Sequence, residues 1–303
     1  MEVAAPRLRA QRKRWGEGVV KGALAFCALV SIATTVGIVA ALLEPSIEFF
    51  REISIVDFLT GTEWTPLFSP AQFGVLPLVA GTLAVTFWAV VVAVPFGLGA
   101  AIFLSEYARP GVRKALKPAL ELLAGVPTVV YGYFALVTFT PFLRSLGLEV
   151  AIFNVFSAGV VMGVMIIPTV ASISEDAMSA VPQSLRDGAY ALGSNKLEVS
   201  LRIVVPAAIS GIVASFVLGI SRAVGETMIV VLAAGNTPNL TFSPVESVQA
   251  MTAYIATTAT GEIAQGTVEY DTIFAVGTVL FLMTLVMNVI SIRLVRRFRE
   301  VYE

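Results

Sequence analysis

Two opposite charges stand inside one apolar run: Arg222 and Glu226, within residues 206–235. Left unpaired in hydrocarbon either would cost several kcal/mol, so both must face protein or water. On a continuous helix their four-residue spacing puts them on one face, within reach of each other or of a shared partner. As a structural pair they would fix helix packing. As a functional pair, the Arg222 guanidinium offers a fixed charge and forked donors to a passing oxyanion. Glu226 would weaken that hold enough for the ion to leave. Gly219 and Gly225 would let another helix approach closely.

Other chemistry is narrowed by what the sequence lacks. It contains no histidine, which excludes His-based triads, His-ligated metals and imidazole proton relays. Its one cysteine, Cys27, excludes internal disulfides and thiolate clusters, and reads as a small buried hydrophobe. The segment GAYALGSNK lacks a lysine directly after its second glycine, so it is no nucleotide cradle. Catalytic residues, metal ligands and cofactors are therefore not expected, and the chain reads as a non-enzyme.

The other segment with a chemical signature is Ser174 to Pro206, too long for a simple connector. Pro182 can open a helix on which Leu185, Ala189 and Leu192 share a face. Gly193 fits its C-terminal cap. Asn195 and Glu198 make a capping box for a second helix, whose Leu197, Leu201 and Val204 continue an apolar stripe. The expected object is helix, glycine turn, helix, with an apolar side open to a partner. A helix lying on lipid would want Lys and Arg along its polar face; Asp187 and Glu198 favour a protein groove.

The elements that must position these residues follow from composition. Of 303 residues 57% are hydrophobic and 14% charged, with mean hydropathy +0.86, against about 25% charged in soluble domains. Apolar runs at 22–43, 74–104, 118–143, 152–173, 206–235 and 270–292 each approach or exceed the ~20 residues of a membrane span. An all-α integral membrane protein with six transmembrane helices is predicted. Lys and Arg mark the sides: Arg7, Arg9, Arg12, Lys13, Arg14 and Lys21; Arg109, Arg113, Lys114 and Lys117; Arg186, Lys196 and Arg202; Arg293, Arg296, Arg297 and Arg299. The alternate segments hold only Arg51 and Arg144. Both termini are thus expected in the cytoplasm, as an even span count also requires. The organisation reads as a basic tail (1–21), a first helix with an acidic external segment (22–73), a five-helix core (74–292) containing the loop 174–206, and a basic tail (293–303). The basic start resembles a signal peptide, but its apolar run is too long, so the first helix is expected to be retained.

Pro95 with Gly97 and Gly99, then Gly125, Pro127, Gly132 and Tyr133, then Pro168, are places for helices to bend. The external stretch from Glu44 to Phe73 carries five carboxylates against one arginine; it is either an ordered cap, a docking surface or a solvated connector. In the last external segment Ser243, Pro244, Val245 and Glu246 read as a capping box. Val248, Met251, Tyr254 and Ile255 would then form an apolar face.

These residues resemble the permeases of ATP-binding-cassette importers, whose loop has the pattern E-A-A, three residues, G, nine residues, I-x-L-P. Asp187, Gly188 and Ala189 fill the first three places, Gly193 the glycine place, and Ile203, Val205 and Pro206 the close. Asp for Glu, Gly for Ala and Val for Leu are departures that keep the spacing. GVPTVVYGYFAL, RDGAYALG and SRAVGETMIVVLAAGN further resemble the phosphate importer permeases of the PstC type. The resemblance implies the type I importer permease fold in the inner (cytoplasmic) membrane. It also implies a second, PstA-like permease, two ATPase subunits docking at Leu185, Asp187, Leu192 and Gly193, and an extracytoplasmic phosphate-binding protein; no nucleic acid is implied. Import of an anion against an inside-negative potential costs about 2.3 kcal/mol per charge per 100 mV, which ATP hydrolysis on a partner can supply. Sulfate or molybdate importers share the loop pattern. A stand-alone secondary transporter would show internal repeats, and none is evident. A membrane sensor would carry an added cytoplasmic domain, for which tails of about 21 and 11 residues leave no room.

Overall fold

The computed structural model describes residues 15–297. The basic residues Arg7, Arg9, Arg12, Lys13 and Arg14, and Arg299, lie outside them. The described residues form helices α1 (Trp15–Glu52), α2 (Ile55–Thr60), α3 (Leu76–Ile102), α4 (Pro110–Ala124), α5 (Thr128–Phe134), α6 (Thr140–Ser145) and α7 (Val155–Ser179). Then follow α8 (Gln183–Ala191), α9 (Lys196–Val199), α10 (Val205–Ala207), α11 (Ile209–Val224), α12 (Met251–Ala259) and α13 (Val268–Arg297). Single π-wound turns extend or join them at 103–107, 135–139, 200–204 and 230–234.

Four helices are long and apolar enough to cross a bilayer: α1, α3 with its π turn, α7 and α13. The other two expected spans are broken. α4 and the α5–α6 helix meet at 85°, and α9–α10 meets α11 at 73°. The expected span 118–143 therefore starts too early. Pro118 to Ala124 belong to amphipathic α4, which buries none of its residues, and the chain turns at Gly125–Pro127. Pro127 cannot donate a backbone hydrogen bond and biases Val126 away from helix. By contrast α3 and α7 run on through Pro95 and Pro168.

The centre is α3 packed along α7. A Cβ at Gly159 would lie 2.4 Å from Trp88 Cβ, and one at Gly163 2.7 Å from the Ala89 carbonyl. Only hydrogen in place of a side chain permits this approach, the small-residue packing that membrane helices use where burial from water drives nothing. Ala89, Val155, Met162, Met165, Ile166 and Ile229 form the inner core. α1 stands apart and packs along α13. Cys27 is consequently exposed, not buried as expected, because its helix presents that stretch outside the bundle.

The two ends differ in charge. At the acidic end the Glu44–Phe73 segment is an ordered cap. Phe49, Phe58 and Trp64 pack edge to face, and Trp64 continues onto Tyr254 at 5.0 Å between ring centroids. The predicted helix start at Ser243 is not formed. Pro244, Val245 and Glu246 instead present their carbonyls to the amides of Phe156, Ala151 and Val155, bracing the start of α7, and the helix begins after Ala250. The predicted apolar face does pack inward through Val248, Met251 and Tyr254.

Candidate functional site: a broken helix in the bundle and a helix pair at its basic end

The run SRAVGETMIVV does not make one helix. α11 ends at Val224 with Gly225 as its cap, Glu226 and Thr227 are non-helical, and a new helical stretch begins at Met228. Arg222 and Glu226 consequently do not share a face and form no ion pair. Glu226, 9% exposed, accepts the amides of Met228 at 3.1 Å and Ile229 at 3.4 Å, while Thr252 Oγ1 donates to its carbonyl at 2.7 Å. It is a helix N-cap. Arg222, half-buried in the last turn of α11, donates through Nη1 to Thr169 Oγ1 on α7 at 3.2 Å.

A physical reason for the separation lies in the helix ends. Unpaired carbonyls at a helix C-terminus favour a cation, and unpaired amides at an N-terminus favour an anion. Breaking the helix between the two charges satisfies each of them locally, where a continuous helix would have required the pair. No carboxylate pairs with Arg222 among the described residues, so its charge is available. The Tyr131 hydroxyl on α5 donates to the Leu123 carbonyl at 2.9 Å. Gly132 brings α5 against the restarted helix, where an added Cβ would lie 3.0 Å from the Met228 carbonyl. Gly219 meets Ile166 and Val170 of α7, as its expected close approach requires, whereas Gly225 meets no neighbouring helix.

At the basic end the predicted helix, turn and helix are present. Gly193 has φ +85°, with its amide on the Tyr190 carbonyl and the Ser194 amide on Ala189, the hydrogen-bond pattern of a Schellman motif. The Asn195–Glu198 capping box is closed by two 3.0 Å bonds. Leu185 and Leu192 are exposed, Leu192 to 89%, with Asp187, Gly188, Gly193 and Pro206 also on the surface. Ala189 is the exception. It turns inward beside Arg186 and packs with Met178, Val181 and Val199, so it cannot share the outer face with Leu185 and Leu192. The α9 stripe also divides: Val204 is buried while Leu197 and Leu201 are exposed.

Sequence reasoning counted Arg113, Lys117 and Arg186 only as sidedness markers. The structure places them in two polar clusters, one around fully buried Glu175 and one at the buried Glu106–Arg186 pair. Glu175, fully buried on α7, is held by Arg113 and by Lys117 at 2.7 Å, and accepts from Ser179 at 3.0 Å. Lys117 also reaches Asp176 at 2.6 Å. These hydrogen bonds to Asp176 and Glu175 raise the Lys117 pKa above its ordinary value. Arg186 pairs with Glu106 at 2.9 Å. A usable signal existed: Glu175 sits at the end of an apolar run where an unpaired carboxylate would be costly.

Against known proteins, residues 93–300 match the family described as binding-protein-dependent transport system inner membrane component. A probable ABC transporter permease protein of Bacillus subtilis, YqgH, is 38% identical over 85% of this chain and 84% of its own. The phosphate transport system permease protein PstC of Haemophilus influenzae is 31% identical over 94% of this chain and 95% of its own. In fold the chain is similar to a bacterial alginate ABC transporter solved with its pentasaccharide-bound periplasmic protein. There the TM-score is 0.63 at 16% identity, over 94% of this chain and 98% of that one. For the MetNI methionine transporter the TM-score is 0.54 at 17% identity, over 75% and 95%.

Proposed function

Because the chain belongs to the family of binding-protein-dependent transport system inner membrane components, we propose that it is a permease subunit importing inorganic phosphate. The observation that carries the substrate reading is Arg222. It is a half-buried guanidinium inside the bundle whose side-chain bond goes to a neutral hydroxyl, and it keeps its remaining donors for a tetrahedral oxyanion. Similarity to PstC over nearly the whole chain supports phosphate among oxyanions. The basic end faces the cytoplasm on this reading, in keeping with the enrichment of Lys and Arg there.

Glu226 is not a tether to Arg222. Its carboxylate holds the helix restart beside the path, and its negative charge there tempers how tightly a dianion is retained. A second, PstA-like permease completes the path. A phosphate-binding protein delivers the ion at the acidic cap, and two ATPase subunits receive the outer face of α8. Leu185, Asp187, Leu192 and Gly193 supply that contact; Gly188 leaves room for close approach, and Pro206 ends the loop ahead of the 73° bend into α11.

The test is uptake of labelled phosphate in cells lacking their own importers and expressing this chain with its three kinds of partner. Uptake that needs a working ATPase and resists excess sulfate and molybdate is expected. Uptake of sulfate or molybdate in place of phosphate would overturn the substrate, and uptake without the ATPase would overturn the coupling.

A further inference from the structure

One buried ion pair has no part in the path at Arg222. Glu106 sits in the π-wound turn that extends α3, and Arg186 on the inner side of α8; their side chains are 5% and 10% exposed and 2.9 Å apart. Arg186 also donates to the carbonyls of Val181 at 2.6 Å and Met178 at 2.9 Å, at the end of α7. Ser105 Oγ, 2.9 Å from the same Glu106 oxygen, fixes the carboxylate from the other side. One guanidinium therefore joins α8 to the ends of the two helices that form the centre of the bundle.

The outer side of α8 carries exposed Leu185 and Leu192; its inner side offers the methyl of Ala189 and Arg186. Besides its packing on α9 and the π turn at 200–204, α8 reaches the ends of α3 and α7 through these two side chains. Apolar contacts are non-directional and can slide. Charge-assisted bonds from a planar fork are directional and roughly twice as strong as neutral ones, and burial strengthens them further. The second cluster, around Glu175, joins α4 to α7 and does not touch α8. A π turn is a frequent feature of functional positions in helices.

We propose that the Glu106–Arg186 pair is the rigid link that carries movement of α8 to the ends of α3 and α7, making Glu106 a positioning residue for transport. The proposal rests on the reading of α8 as the ATPase-contacting helix. A cleft of about 320 Å³ beside the pair, bordered by Gln183, Tyr190 and Lys196, leaves space into which the joined elements can shift.

The experiment uses the whole complex in proteoliposomes with labelled inorganic phosphate, measuring uptake and ATP hydrolysis together. Glu106→Gln removes the charge and keeps the shape. Hydrolysis is expected to continue while phosphate moved per ATP falls about tenfold, the scale of one charge-assisted hydrogen bond. Lys117→Gln, which loosens the other cluster, should lower the thermal stability of the complex and leave that ratio unchanged. An unchanged ratio in an assembled Glu106→Gln complex overturns the link. If that variant does not assemble, Glu106→Asp, which keeps the charge and shortens its reach, is read the same way: a lowered ratio supports the link and an unchanged one overturns it. A wild-type complex that moves no phosphate with ATP overturns the functional reading together with the link, whereas a working wild type beside an unchanged variant overturns the link alone.

Discussion

Arg222 and Glu226 lie four residues apart and act at two different helix ends. That separation makes the two side chains unequal in experiment. Glu226→Gln keeps an oxygen to accept the Met228 and Ile229 amides but loses the charge-assisted part, so a stability loss of about 1 kcal/mol is expected, with phosphate uptake preserved in direction and altered in rate. Glu226→Ala removes the cap and should cost about 1–2 kcal/mol, seen as a lower midpoint in thermal unfolding of the complex. Thr169→Val should leave the fold intact, since Arg222 Nη1 can turn to water in the path, and should alter uptake. The sequence showed that two charges stood in an apolar run, because that is a matter of composition. It did not show that they were apart: the helix break at Gly225–Thr227 depends on tertiary neighbours such as Thr252, which holds the Glu226 carbonyl from 26 residues away.

At the scale of elements, the α8–α9 pair was legible because its signals are local. Gly193 has φ +85°, a conformation that penalises any residue with a Cβ. Gly193→Ala should therefore cost about 1 kcal/mol and lower the yield of ATPase copurifying with the chain. Leu192→Asp acts differently. The side chain is 89% exposed, so the fold should be unaffected while ATPase copurification falls sharply; unimpaired copurification would contradict the assignment of this face. What stayed hidden is the orientation of Ala189, since its spacing groups it with Leu185 and Leu192 but also with Arg186, three residues before it, and the sequence does not say that this edge of α8 meets Met178, Val181 and Val199. α4 was hidden for a similar reason. Its apolar residues continue into the next span in sequence, and only the 85° turn separates an amphipathic helix from a crossing one.

Across the whole molecule, the six apolar runs and the asymmetry of Lys and Arg mark out the bundle, because length and charge at the bilayer are global constraints. The buried clusters were not legible. Glu106 meets Arg186 across 80 residues and Glu175 meets Arg113 across 62, and no local pattern encodes such distances. The same architecture gives a sidedness test: in a Cys27→Ser chain expressed without the ATPase, a cysteine placed at exposed Leu192 should be labelled by an impermeant thiol reagent only after the membrane is opened, and labelling of intact cells would reverse the topology. Movement of the ion depends most directly on Arg222. The decisive measurement is ATP-driven phosphate uptake by Arg222→Gln complexes, with assembly and ATP hydrolysis confirmed in parallel. Collapse of uptake with an assembled, hydrolysing complex is predicted; uptake at the wild-type rate would show that this guanidinium takes no part in moving the ion.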